Sequence, residues 1–227
     1  MTSPNAISLE KARFNMIEQQ VRPWEVLDPA VLALLESVPR DAFVSEAHRA
    51  MAYVDMELPL GNGQVMLAPR MQARLVQDLA VQPTDKVLEI GTGSGFTAAL
   101  LAKLAQRVVS LEIDPAIAAQ ARENLQRAGI SNAAVQTADA GANGFAACAA
   151  EGPWNAILLG GSVAEVPQAL LDLLAPGGRL IAITGQEPMM RATLITRVDG
   201  ANFRSEQPWD AVAPRLQNFP EPSRFSF

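Results

Sequence analysis

Val87-Leu88-Glu89-Ile90-Gly91-Thr92-Gly93-Ser94-Gly95 is an apolar strand pattern running straight into a glycine-rich turn. Glycines placed after a strand let the backbone pass close to a ligand, because they lack Cβ and tolerate positive φ. In a dinucleotide-binding fold such a turn holds pyrophosphate against the helix N-terminus behind it. Glu89, at the end of the strand, would repel that ligand. The spacing also departs from the dinucleotide fingerprint: the glycines run G-x-G-x-G, and Phe96 stands where the third glycine of G-x-G-x-x-G belongs. The ligand implied carries positive charge and no phosphate. S-adenosylmethionine, with an α-ammonium and a sulfonium, has that chemistry. The turn therefore reads as that of a methyltransferase rather than a dehydrogenase.

Outward from the turn, strands and helices alternate as a parallel sheet covered on both faces requires. Strands are expected at Val87–Ile90, Val108–Leu111, Ala133–Thr137, Ala156–Leu159, Arg179–Thr184 and Arg191–Val198. Helices are expected at Thr97–Leu104, Pro115–Ala128 and Val166–Leu174. Upstream, Ser8–Gln20 is helix-prone, Asp28-Pro29 opens a second helix, and a short helix carries Phe43, Val44 and His48. Pro59–Gln64 reads as a loop, and Pro69 starts a helix reaching Leu79. The tail from Gln207, rich in proline and aromatics, fits no element pattern. The expected fold class is α/β: a Rossmann-like, doubly wound, mostly parallel sheet with an N-terminal helical appendage. Residues 1–79 form the helical segment and acceptor loop, and residues 80–227 form the cofactor-binding core.

Three successive strands finish at or beside a carboxylate: Glu89, Glu112 and Asp139. Ligands of open α/β sheets lie outside the carboxyl ends of the strands, so one cofactor can meet all three. Glu89 suits the methionine end, directly or through water. Glu112 follows the glycines by about twenty residues, the separation at which an acid reaches a ribose diol. Asp139 would take the adenine amino group, with the Ala140 amide facing a ring nitrogen.

Composition narrows the function classes. The chain has 227 residues, 49% hydrophobic, enough for a packed core of one domain or a domain with an appendage. A formal net charge of -6 argues against a protein built to hold phosphate backbones. Cys148 and His48 are the only residues of their types, which leaves no thiolate or multi-histidine metal site and no disulfide within the chain. Cys148 reads as a buried hydrophobe and His48 as a surface or packing residue. No run approaches the roughly 20 apolar residues of a membrane span. A cytoplasmic protein without metal, nucleic acid or membrane partner is expected, as a monomer or weak homodimer.

Beyond the turn, the sequence resembles the protein-L-isoaspartate O-methyltransferase family, a class I S-adenosylmethionine-dependent group. Val38-Pro39-Arg40-Asp41-Ala42-Phe43-Val44 is similar to its Val-Pro-Arg-x-x-Phe-Val segment, and Leu58-Pro59-Leu60-Gly61-Asn62-Gly63-Gln64 to its Leu-Pro-Ile-Gly-x-Gly-Gln loop. The helix from Pro69 through Leu79 and the segment Leu174–Gly185, with Pro176-Gly177-Gly178, also resemble it. The resemblance implies repair of aged proteins: methylation of the free carboxyl of isoaspartyl residues, with S-adenosylhomocysteine as the product. It implies a cofactor set of Glu89, Gly91, Thr92, Gly93, Ser94, Gly95, Glu112, Ile113, Asp139, Ala140, Met66 and Gln72. It implies an acceptor set of Val65, Met66, Leu67, Pro69, Gly160 and Gly161, with no catalytic side chain.

One departure concerns the acceptor. The family loop reads Gln-Thr-Ile-Ser-x-Pro, whereas this chain has Gln64-Val65-Met66-Leu67-Ala68-Pro69, so both hydroxyls are absent. The family's C-terminal Phe-Val-Pro-Leu segment has its nearest counterpart in Ala211-Val212-Ala213-Pro214-Arg215-Leu216. Absent or low turnover on isoaspartyl peptides is the expectation from these losses. The alternatives are a small, partly apolar methyl acceptor and a non-catalytic cofactor-binding protein. The strand before Gly160 lacks the Asn/Asp-Pro-Pro-Tyr/Phe pattern of exocyclic-amine methyltransferases, which disfavours DNA as the acceptor.

Overall fold

A computed structural model describes residues 4–221. The first helix, α1 (Pro4–Met16), runs on into a wider turn at Ile17–Val21. Helix α2 (Pro29–Ser37) begins where expected: the Asp28 carboxylate accepts from the Ala30 N–H at 2.8 Å, and Pro29 occupies the first helical position. The expected short helix around Phe43 and His48 is instead two 3₁₀ turns, Arg40–Phe43 and Glu46–Met51, with Val44 between them in extended conformation.

The expected loop at 59–64 is a hairpin, β1 (Leu58–Gly61) and β2 (Gln64–Met66). Its turn is Asn62-Gly63, both at positive φ (51° and 74°), the residue pair that a two-residue hairpin turn demands. The hairpin leads into α3 (Pro69–Leu79).

The seven-stranded sheet then forms in chain order from β3 (Lys86–Ile90), β4 (Arg107–Glu112), β5 (Ala133–Thr137), β6 (Trp154–Val163), β7 (Leu174–Gln186), β8 (Met189–Asp199) and β9 (Asn202–Asp210). Its spatial order is β5-β4-β3-β6-β7-β8-β9. The pairings from β5 to β7 are parallel, and β8 and β9 add antiparallel. Two further expectations need correction. The helix expected at Val166–Leu174 shrinks to one turn, Gln168–Leu171, because Pro167 caps its start and Leu174 already belongs to β7. The strand expected at Ala156–Leu159 continues to Val163 through Gly160-Gly161.

Alternation along the strands sorts side chains between two cores. Val87, Val108, Ala156 and Leu158 face one side, where they pack with α2, α3, α4 (Phe96–Leu104) and residues such as Met16, Leu35 and Leu75. Leu88, Ile90, Leu111 and Ile157 face the other, with Trp154, Leu170 and Phe219. Burying each such aliphatic side chain stabilises the fold by about 1.5–3 kcal/mol relative to exposure. Helix α5 (Pro115–Arg127) packs beside α4, capped by Asp114, whose carboxylate accepts from the Ala116 and Ile117 N–H groups. The order reverses at β3, where β4 lies on one side and β6 on the other. That switch point, at the carboxyl ends of the strands, opens a crevice.

Candidate functional site

The turn after β3 is tied to its neighbour strand: the Gly91 and Thr92 N–H groups both donate to the Leu111 carbonyl, at 2.8 and 3.3 Å. Two positions call for glycine, Gly93 by its positive φ and Gly160 by proximity. A Cβ on Gly93, whose φ is +54°, would lie 3.1 Å from Leu60 Cδ1 of the hairpin. A Cβ on Gly160 would lie 2.5 Å from the Gly91 carbonyl oxygen, so the ends of β3 and β6 approach only because β6 carries no side chain there.

The three strand-end carboxylates have different surroundings. Glu112, 1% exposed, accepts from the Gly93 N–H at 2.9 Å and the Asp114 N–H at 3.1 Å. It thus braces the turn while facing the crevice. Asp139 accepts from the Gly141 N–H at 3.0 Å and from the Asn218 side-chain amide at 2.6 Å. Glu89 is 0% exposed and lies beneath the turn rather than on the crevice wall. One of its oxygens accepts from the Ser110 hydroxyl, which also bonds the Thr92 hydroxyl at 2.6 Å, and the other oxygen has no partner among the described residues. Burial pushes the Glu89 carboxyl up to about 8; the Ser110 hydrogen bond opposes that rise, and the Glu112 charge adds to it.

The crevice holds a cavity of about 150 Å³. From the expected cofactor set it is lined by Gly91, Gly93, Glu112, Ile113, Asp139 and Ala140, and from the acceptor set by Val65, Leu67, Gly160 and Gly161. Thr92, Ser94, Met66 and Gln72 line a void of about 20 Å³ beside it, which shares Val65, Leu67, Gly91, Gly93 and Gly160. Gly95 caps α4 against Ala121, and neither it nor Pro69, at the start of α3, lines either space.

Gln72 is engaged at both ends. Its amide donates to the Thr97 hydroxyl at 2.8 Å, and its carbonyl accepts from Arg40. Arg40 is itself buried, donates to the Leu67 carbonyl at 2.7 Å, and has its pKa lowered to about 9 by burial. The Val-Pro-Arg segment thereby fixes the backbone of the acceptor loop.

Reading the sequence missed the other wall. Residues 211–221 cross the carboxyl ends of the strands and contribute Pro214, Arg215, Leu216, Gln217 and Phe219 to the lining. Ser162 pins this segment. Its N–H donates to the Pro214 carbonyl (2.7 Å), its carbonyl accepts from Leu216 (2.9 Å), and its hydroxyl donates to the Ala213 carbonyl (2.7 Å). The signal available in sequence was Ala213-Pro214-Arg215-Leu216 itself, which has no periodicity to mark it as a wall. Trp209 is elsewhere: its indole N–H donates to Asp78 at 2.7 Å and its ring meets Trp24 edge-on. Cys148 is buried, which pushes its thiol up to about 12, and His48 bonds Ser45 on a surface turn. Among the described residues there is no group of three or more potential metal ligands, and no helix is long and apolar enough to cross a membrane.

The chain is similar in sequence and in fold to known proteins. The model of the family described as Protein-L-isoaspartate(D-aspartate) O-methyltransferase matches residues 11–209. A protein-L-isoaspartate O-methyltransferase of Methanoculleus marisnigri is 40% identical over 190 residues, covering 84% of each chain. One from Methanoregula boonei is 39% identical over 207 residues, 91% of this chain and 92% of its own. In fold, the chain is similar to a Plasmodium falciparum protein described as a protein-L-isoaspartate O-methyltransferase, crystallised with S-adenosyl-L-homocysteine. That likeness has a TM-score of 0.77 at 22% identity and covers 92% of this chain and 98% of the other.

Proposed function

The chain belongs to the protein-L-isoaspartate O-methyltransferase family, and from that premise we propose that it methylates the free carboxylate of isoaspartyl residues in proteins, with S-adenosylmethionine as the methyl donor. The observation that carries this reading is a single crevice in which the glycine turn, Glu112 and Asp139 meet the hairpin residues Val65 and Leu67. Shared lining of one crevice supports a donor site and an acceptor site that meet there.

The residues fit the donor. Glu112 and Asp139 line the crevice beside the turn. That donor set opposes phosphates and suits a cationic ligand with a ribose diol. Glu112 would hold the ribose hydroxyls, Asp139 and the Ala140 amide the adenine, and the turn the methionine portion. When bound, S-adenosylmethionine supplies a methyl group activated by its sulfonium. The chain's own contribution is placement. An acceptor carboxylate is already ionised at pH 7 and needs no general base, so alignment of the two reactants carries the rate. Val65 and Leu67, as apolar wall residues, exclude water from the meeting point.

The same two side chains favour a second reading, a small and partly apolar acceptor, because neither offers a hydrogen bond. Methyl transfer assays with paired isoaspartyl and aspartyl peptides separate the two. Ester formation on the isoaspartyl peptide alone supports repair. Absence of ester, alongside retained S-adenosylhomocysteine binding, supports the changed acceptor.

A further inference from the structure

Resting on the reading that the acceptor is an isoaspartyl carboxylate, we infer that Arg215 is the acceptor's carboxylate anchor. A carboxylate that enters a crevice walled by Val65 and Leu67 loses water and needs charged or polar donors in return. Among the described residues lining that crevice, Arg215 is the one cation. Its side chain is 29% exposed, partly sheltered yet reachable. Among the neutral side-chain donors of the crevice, the Asn62 amide is committed to Asp114 at 2.6 Å, while Gln64 and Gln217 bring no positive charge to offset a desolvated carboxylate.

The guanidinium is held in place without being used up. Its Nε faces a Glu221 carboxylate oxygen at 3.0 Å, one terminal nitrogen donates to the Gly185 carbonyl at 3.0 Å, and the other reaches the Ser162 hydroxyl at 3.5 Å. A guanidinium has five N–H groups in a rigid fork. Each terminal nitrogen makes one hydrogen bond, which leaves one further N–H on each without an acceptor among the described residues, while the Glu221 contact is an ion pair. Free N–H donors on a cation suit a carboxylate. Because the Ser162 hydroxyl also holds the Ala213 carbonyl, the fork is set by the strand end that forms the crevice floor. Arg215 selects for a free carboxylate at the acceptor, and an amide or an apolar group in its place leaves the fork unpaired.

Calorimetry on the full chain saturated with S-adenosylhomocysteine tests this, with an isoaspartyl peptide and its twin amidated at that carboxyl. The wild type is expected to prefer the acid form. Arg215→Leu is expected to weaken binding of the acid form by about 10- to 100-fold and raise KM in step, with affinity for S-adenosylhomocysteine unchanged. Arg215→Lys keeps the charge but not the fork and is expected to fall between the two, and it carries the test if the leucine variant does not fold. Peptide affinity in the folded variants equal to wild type overturns the anchor and leaves the isoaspartyl reading standing. A wild type that binds S-adenosylhomocysteine but neither binds nor methylates the acid peptide overturns that reading, and the anchor with it.

Discussion

Glu112 has two tasks: it accepts the backbone amides of Gly93 and Asp114, and it faces the crevice where a ribose would lie. Replacing it in Glu112→Ala is expected to weaken S-adenosylhomocysteine binding by about 10- to 100-fold, since hydrogen bonds to a charged acceptor contribute ~1.5–3 kcal/mol. Calorimetry showing unchanged affinity would rule out the ribose assignment. Gly93→Val should also weaken that binding, because the turn residue is at φ +54° and its new side chain meets Leu60. At the acceptor wall, Val65→Thr with Leu67→Ser adds two donors and is expected to raise kcat/KM on isoaspartyl peptides, by ~10-fold or more if one donor reaches the carboxylate. Glu89 yields a prediction in pH. Its folded pKa of about 8 lies above the 4.5 of an unperturbed glutamate, so the folded state keeps a proton that the unfolded chain has shed. The stability it contributes is complete below about pH 4.5 and is lost as pH rises toward about 8. Glu89→Gln, which keeps an oxygen for Ser110, should therefore flatten the fall of Tm with pH and exceed wild-type Tm at the alkaline end. Parallel Tm curves for the two proteins would contradict the buried, protonated carboxyl.

Two elements convert the sheet into a site: the hairpin that carries Val65 and the segment 211–221 that closes the far wall. The second depends on Ser162. Its hydroxyl is buried and satisfies the Ala213 carbonyl, so Ser162→Ala is expected to cost about 1–3 kcal/mol in stability by leaving that oxygen unpaired. Denaturant unfolding measures this, and a change within error would show that backbone pairing alone holds the segment. These elements were also the least legible in sequence. Val87–Ile90 and Pro115–Arg127 announce themselves through apolar runs and caps. The Asn62-Gly63 pair carried a hairpin signal, but its flanks are too short for alternation to show. Strand β9 is an edge strand whose residues are largely exposed, so no apolar period marks it, and pairing with β8 alone makes it a strand. The helix expected from Val166 has the composition for a longer run, yet the parallel pairing of Leu174 with Trp154 claims its end.

At the scale of the whole molecule, the crevice gathers residues 62–65, 67, 90, 91, 93, 111–113, 138–140, 160, 161, 214–217 and 219. The strand-end half of that set was legible, because the parallel order of the sheet places successive carboxyl ends side by side. The half supplied by residue 215 was not. Arg215 meets Ser162 across 53 residues of sequence, and only the folded chain shows that the crevice wall carries a cation. In the proposed function, this crevice joins S-adenosylmethionine to an isoaspartyl carboxylate. The most direct test is transfer of a labelled methyl group from S-adenosylmethionine to two peptides of one sequence, one with isoaspartate and one with aspartate at a single position. A base-labile methyl ester on the isoaspartyl peptide, and none on its twin, is the result predicted. Label on neither peptide, or equally on both, would contradict it.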